Sequence, residues 1–206
     1  MKKKSVQPKK ITHRECLLKL KQSQHELMNC LIAIIEALDP YTRDHSRNVA
    51  NYALLLAEEL NLPPAEIQMM HYAGLFHDIG KIGIAPDILK KQSALTDAEY
   101  AIIQEHPIKG ANIIAQISDF APIVTIILHH HEHMDGKGYP EGLKGEEIPL
   151  GSRLIAVVDA YDAITTNRAY RKAQGRAKAL EVIKKATPDQ FDPEIVQAFL
   201  KVAKNL

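Results

Sequence analysis

The chain has 206 residues, 46% hydrophobic and 25% charged, the proportions of a globular domain and not of a disordered or membrane-embedded chain. A net charge of +1 offers no bulk attraction to a nucleic acid polymer or an acidic membrane. The longest apolar runs, "LIAII" and "LIAVV", fall far short of the roughly 20 residues that span a bilayer. The basic start "MKKKSVQPKK" is not followed by the apolar stretch of a signal peptide, so a cytoplasmic location is expected.

Helical periodicity runs through almost the whole chain. Residues 12–38 place Leu17, Leu20, Leu27, Leu31, Ile34 and Leu38 at alternating three–four spacing, with Gln24 at the one polar position. That is a heptad seam, and Asp39-Pro40 ends it. Cys16 and Cys30 lie on this helix, about 21 Å apart, too far for an intrachain disulfide. Reduced thiols are expected. A second helix is predicted over 42–60, with Val49, Tyr52, Ala53, Leu56 and Leu60 on one face. Pro64 is suited to opening a third, over 65–79. Thr96 and Glu99 form a capping signature, and Pro107 and Pro122 suit the first turns of two more helices. "MDGKGYPEGLKGEEIPLGS" is the only long loop, and long loops inside compact domains tend to be functional. Helices follow near 150–164, 176–186 and 193–204, the last announced by Asp192-Pro193. Strand signals are weak. The fold expected is an all-α bundle, with residues 1–38 a basic start plus heptad-like helix and 39–206 the main domain.

"LFHDIGKIGI", residues 75–84, sets a histidine and an aspartate in an apolar run. Burying such a pair is costly without compensation. Adjacent helical residues point about 100° apart, so His77 and Asp78 can flank one small object such as a metal ion. Other ligand-type residues fall in segments that look buried: His45, His106, the run His129-His130-His131 and Asp159. Taken singly, each has a plain reading: His106 as a helix-end cation, Asp159 as a satisfied core carboxylate. Together, five of these imidazoles and two carboxylates from separate helices suit a two-metal site in a bundle core. With Asp78 as a bridge, one ion takes His45, His77, Asp78 and Asp159, and the other takes Asp78, His106, His130 and His131. Nitrogen and oxygen donors without thiolate favour Fe or Mn over structural zinc.

These residues stand in "HDIGK" (77–81), "HHE" (130–132), "DGKGYP" (135–140), "LKGEEIPL" (143–150), "VVDAYDA" (157–163) and "RAYR" (168–171). In that order the motifs resemble the HD-GYP subgroup of HD-domain phosphohydrolases, from about Asp39 to Lys201. The resemblance implies an HD-domain helical bundle with one long GYP loop. It implies a metal-dependent phosphodiesterase that opens the bacterial second messenger cyclic di-GMP to pGpG and, in some members, GMP. By position the seven proposed ligands match the family's metal ligands, and the HHE register selects His130 and His131 over His129. Lys81 matches the lysine after the HD pair, in position to stabilise charge on the phosphoryl oxygens, while Asp78 orients the nucleophile. Gly138, Tyr139, Pro140, Arg168 and Arg171 match residues that line the substrate pocket, the arginines as forked donors and Tyr139 as a stacking ring.

There are departures. The first ligand usually sits in "GHSxRV"; here it is "DHSRNV", with Asp44 for the glycine and Asn48 for the arginine. Some members carry a glutamate four residues before that histidine to support a third metal, where this chain has Tyr41. Two divalent ions are therefore expected, and Asn48 is expected to weaken a contact behind His45. Asp162 reads as a hydrogen-bond partner of Lys81 or of a ligand. His71, about 240° round the helix from His77, reads as facing elsewhere. Two other readings stand beside the main one: a phosphodiesterase for a related cyclic dinucleotide such as cyclic GMP-AMP, and a non-catalytic cyclic di-GMP-binding or interaction module. The leucine seam is expected to dock on its own bundle or to pair in a homodimer, and protein partners in cyclic di-GMP signalling are expected.

Overall fold

The computed structural model describes residues 12–38, 44–167 and 172–206, apart from the side chains at 21, 24, 25 and 38. Among the described residues there is no strand. The α-helices are α1 (His13–Leu38), α2 (His45–Glu59), α3 (Pro64–Phe76), α4 (Pro86–Leu89), α5 (Asp97–Ile103), α6 (His106–Ile114), α7 (Ala121–Leu128), α8 (Leu150–Thr165), α9 (Arg176–Lys185) and α10 (Pro193–Val202). No described helix is long and apolar enough to cross a membrane.

Local chemistry accounts for most helix starts. Proline occupies the first or second position of α3, α4, α6, α7 and α10, where its missing N–H costs nothing. Thr96 and Glu99 close the expected capping box on α5. The Asp192 carboxylate accepts from the N–H groups of Glu194 and Ile195 at the start of α10.

The third helix stops three residues earlier than its periodicity predicts. It ends at Phe76, and Ile79–Gly83 follow as a 3-10 turn. Gly80 explains the break, because a Cβ there would overlap the His106 carbonyl oxygen and crowd the backbone of Gly110. The turn is pressed against α6, and only glycine permits that approach. His77 and Asp78 thus sit in the bend between two elements and not on one helical face.

Helices α2, α3, α7, α8 and α10 enclose the core, with Leu56, Phe76, Ile127, Leu154, Tyr161 and Phe199 all essentially inaccessible. The rings of Tyr52, Tyr161 and Phe199 meet edge to face. The loop after α7 is tied down at several points: Asp135 N–H donates to the Asp189 carbonyl at 2.8 Å and Gly145 N–H to the Met134 carbonyl at 3.1 Å. Among its described side chains, helix α1 docks by its C-terminal half, through Ile32 and Ile35 with Met28 beside them. Leu17, Leu20, Leu27, Leu31 and Ile34 of the seam face outward.

Candidate metal centre

Helix ends deliver most of the ligand-type side chains. Asp44 holds a left-handed backbone (φ 66°) before α2, a conformation natural to glycine and tolerated by aspartate. The Asp44 departure therefore preserves the turn that launches His45. His77 follows the last residue of α3, His106 opens α6, and His130 and His131 lie just past α7. Asp159 projects from the middle of α8.

The four most buried of these imidazoles, each 1–3% exposed, share one pattern. Nδ1 of His77 meets the Gly74 carbonyl at 2.8 Å, Nδ1 of His106 the Ile103 carbonyl at 2.7 Å, and Nδ1 of His130 the Ile127 carbonyl at 2.6 Å. Nδ1 of His45 meets Asp162 Oδ2 at 2.6 Å. A carbonyl or carboxylate oxygen only accepts, so each Nδ1 carries the proton and each neutral ring keeps an Nε2 lone pair. The carbonyls spent on three of these bonds belong to last turns of helices, whose C=O groups lack helical partners. The break in the helix and the tautomer of the ring are one device.

All four Nε2 atoms turn inward. Those of His45 and His77 are buried without any hydrogen-bond partner. Those of His106 and His130 face each other at 3.3 Å, an arrangement of two lone pairs that calls for a cation between them. Ligand atoms of His45, His77 and Asp159 lie within 4.8 Å of one another, and so do those of His106, His130 and His131. Asp78 stands between the groups. Its Oδ2 is 3.8 Å from His45 Nε2 and 3.5 Å from His77 Nε2, while its Oδ1 is 3.3 Å from His106 Nε2. Two cations fit this donor set, one on each side of Asp78, and outward Nδ1 bonds of this kind are how ligand histidines are usually held.

Electrostatics agree. Burial pushes the pKa of His106 down to about 4 and that of His131 down to about 3, and lowers that of His130 as well. These rings are neutral, as ligands must be. For His45 burial acts downward too, but the neighbouring carboxylates of Asp159, Asp162 and Asp78 outweigh it and lift the pKa to about 9. Carboxylates that draw a proton onto this ring would equally draw a cation. Burial alone would raise the pKa of Asp78, yet Lys81 and the surrounding histidines hold it well below the carboxylate range.

A layer of supporting contacts surrounds the donor groups. Asp162, fully buried, accepts from Asn48 Nδ2 at 2.9 Å on the oxygen that His45 does not use. It partners His45 and not Lys81. Asn48 therefore maintains the contact behind His45 that its substitution was expected to weaken. Lys81 instead meets Asp78 Oδ2 at 2.6 Å. The sequence reading gave no role to Glu132, although it stands in the "HHE" motif. It is 3% exposed, and its Oε1 accepts the N–H groups of Glu141 and Gly142 at 2.7 and 3.0 Å. His129 is also buried and reaches Glu141 Oε2 at 3.1 Å, so it holds the loop and lies in neither donor group.

The loop brings Tyr139 to the site. Tyr139 N–H donates to the His131 carbonyl at 3.2 Å, and its ring stacks on His131 at 4.9 Å and 30°. A Cβ on Gly138 would overlap the backbone of Glu132 and His133, which is why glycine precedes the tyrosine. Pro140 follows directly. Arg168, Arg171 and Tyr41 lie outside the described residues. His71 sits on α3 beside α1, away from both donor groups.

A family model described as HD domain matches residues 29–195. The chain belongs to the HD-domain family. Among curated relatives, this HD-domain chain is 40% identical over 178 residues to a cyclic di-GMP phosphodiesterase of Pseudomonas aeruginosa, covering 84% of itself and 42% of that protein. It is 37% identical over 183 residues to 3'3'-cGAMP-specific phosphodiesterase 3 of Vibrio cholerae, covering 87% and 40%. The chain thus spans less than half the length of these relatives. Among solved structures, a cyclic GMP-AMP-specific phosphodiesterase of V. cholerae superposes with a TM-score of 0.68 at 21% identity, over 87% of this chain and 49% of that one. The HD domain of the Listeria monocytogenes phosphodiesterase PgpH superposes with a TM-score of 0.60 at 20% identity, over 84% and 94%. At such identities the superpositions speak for the fold, an all-α HD bundle.

Proposed function

We propose that this HD domain, of the HD-GYP kind, is a metal-dependent phosphodiesterase that hydrolyses cyclic di-GMP to pGpG, GMP or both. One observation carries the reading: the buried imidazoles of His45, His77 and His106 turn Nε2 toward the two oxygens of a single carboxylate, Asp78, and His130 Nε2 faces that of His106 at 3.3 Å. His45, His77, Asp78 and Asp159 would hold one divalent ion, and Asp78, His106, His130 and His131 the other. Fe or Mn suits these donors, since the two cysteines are exposed on α1. Such a pair of cations supplies positive charge against the phosphodiester and water acidic enough to attack at neutral pH.

The chain's own residues do the rest. Lys81, held by Asp78 at 2.6 Å, keeps an ammonium beside the donor cluster, where it stabilises charge growing on phosphoryl oxygens. Asp78, kept ionised by its cationic and histidine neighbours, orients the attacking water. Gly138 and Pro140 fix Tyr139 on the His131 ring, and its other face is offered to a purine. Arg168 and Arg171 belong to the same reading as phosphate or guanine donors. It places the domain in the cytoplasm, with cyclic di-GMP signalling proteins as partners. It also pairs two chains through α1, a reading supported by the exposed seam.

A second reading, cleavage of cyclic GMP-AMP, is favoured by the similarity to the cGAMP-specific relative. The experiment measures metal content by element together with hydrolysis of cyclic di-GMP and 3'3'-cyclic GMP-AMP under Mn(II) or Fe(II). About two ions per chain and faster turnover of cyclic di-GMP are expected. Faster turnover of cyclic GMP-AMP selects the second reading. Binding of cyclic di-GMP without turnover in the metal-loaded protein makes it an interaction module and overturns both.

A further inference from the structure

Helix α1 has two apolar faces, and its own domain covers only one. Ile32 and Ile35, 2% and 4% exposed, and Met28 beside them pack inward, where α1 meets α2 and the turn Ile79–Gly83. Glu36 adds an ion pair to Arg47 of α2 at 3.5 Å. Leu17, Leu20, Leu27, Leu31 and Ile34 lie roughly 80° further round the helix and are 37–66% exposed. No described side chain from His13 to Leu27 is buried, so about four turns of α1 stand clear of the domain. A bare helix of that length is marginal in water. Its seam requires a cover.

We infer that the cover is α1 of a second copy of this chain, lying parallel and in register. This gives the α1 pairing named above its geometry and is independent of which dinucleotide is cleaved. The heptad register puts Leu17, Gln24, Leu31 and Leu38 at one core position, and Leu20, Leu27 and Ile34 at the other. In a parallel pair position 24 meets its own counterpart, amide type against amide type. An antiparallel pair sets it against a leucine or isoleucine. A single polar core residue is a known determinant of register. Flanking positions favour the same arrangement. The side of the seam away from the domain carries Cys16, Ser23 and Cys30, small and uncharged. No like charges oppose each other.

The area is sufficient. Five large apolar side chains per copy, at about 100 Å² each, bury on the order of 1,000 Å² between two copies, the lower bound for a specific interface. Because each domain docks on the C-terminal half of α1, a parallel pair sets both domains at one end. The covered face of the same helix bears on the turn that holds Lys81, so whatever rotates the pair acts directly on that turn.

The test uses the full chain. Light scattering should give a particle of twice 23.0 kDa, and Leu20→Asp with Leu27→Asp should halve that mass while far-UV dichroism keeps the helical signal of the domain, α2 to α10. In a Cys16→Ser, Cys30→Ser background, Leu20→Cys should form a covalent dimer under mild oxidation, whereas Gln22→Cys, on the outer side of the register, should not. A monomeric parent chain, or a dimer that survives both aspartates, overturns pairing through α1. Loss of the dimer with the aspartates but no cross-link at position 20 rejects the parallel register and leaves the pairing itself standing.

Discussion

Asp162→Ala tests how the metal centre is held without touching a ligand. The side chain is inaccessible and accepts two hydrogen bonds, from His45 Nδ1 at 2.6 Å and Asn48 Nδ2 at 2.9 Å. Removing it frees the His45 ring to rotate or change tautomer and leaves one buried and one partly buried donor without an acceptor. A hydrogen bond to a charged group contributes roughly 1.5–3 kcal/mol, and loss of a partner behind a ligand histidine typically costs about 10–100-fold in metal affinity. The two figures agree, since tenfold is about 1.4 kcal/mol. The loss should fall on one ion only, because His45 belongs to the donor group with His77 and Asp159 while His106, His130 and His131 form the other. Chelator competition followed by element analysis should therefore show one ion released about 10–100 times more readily and the second little changed. The paired exchange Asp162→Asn with Asn48→Asp supplies a control. It returns an amide oxygen to His45 and an acceptor to the asparagine, so it should recover most of the affinity that Asp162→Ala loses. Equal weakening of both ions, or unchanged affinity in a folded Asp162→Ala protein, would refute the assignment.

Asp78→Ala should strip both ions, because its two oxygens face the two donor groups; a purified variant retaining two metals per chain would rule out a bridge. Lys81→Ala should keep both metals and lower turnover by about 100-fold; loss of metal would make the lysine structural instead. His130→Ala or His131→Ala should empty the position shared with His106, whereas His129→Ala should keep both ions and raise KM by loosening Glu141 and the loop; equal metal loss in all three would contradict that division. Acid should loosen the start of α5. The side-chain hydrogen bond from Lys91, with Thr96, lowers the Glu99 pKa to about 2. This depressed pKa contributes stability above the unfolded carboxylate range, near 4.3, that is lost as pH falls through about 2. Hydrogen exchange at the Glu99 amide, accelerating between pH 4 and 2 relative to Lys91→Met, checks the sign.

Much of this was legible along the chain because its causes are local. Prolines, the Thr96–Glu99 box and Asp192 mark helix starts through contacts within a turn, and the periodic apolar positions name the bundle. The ligand-type residues stand out because buried histidines and aspartates are costly without a shared partner. Their roles are less local. The end of α3 at Phe76 follows from Gly80 lying against the His106 carbonyl oxygen, an approach between elements that periodicity within either helix cannot register. The partner of His45 is Asp162, 117 residues away in the chain, and the same aspartate gives Asn48 its place. Glu132 and His129 hold the loop through groups at Glu141 and Gly142 that only the folded path brings near. On α1 the heptad names a seam, while the packing of Met28, Ile32 and Ile35 decides which face the domain takes and which it leaves open. Residue chemistry and short-range geometry determine which atoms are able to bind. The direction each lone pair points depends on contacts between distant segments, and those exist only once the bundle has closed.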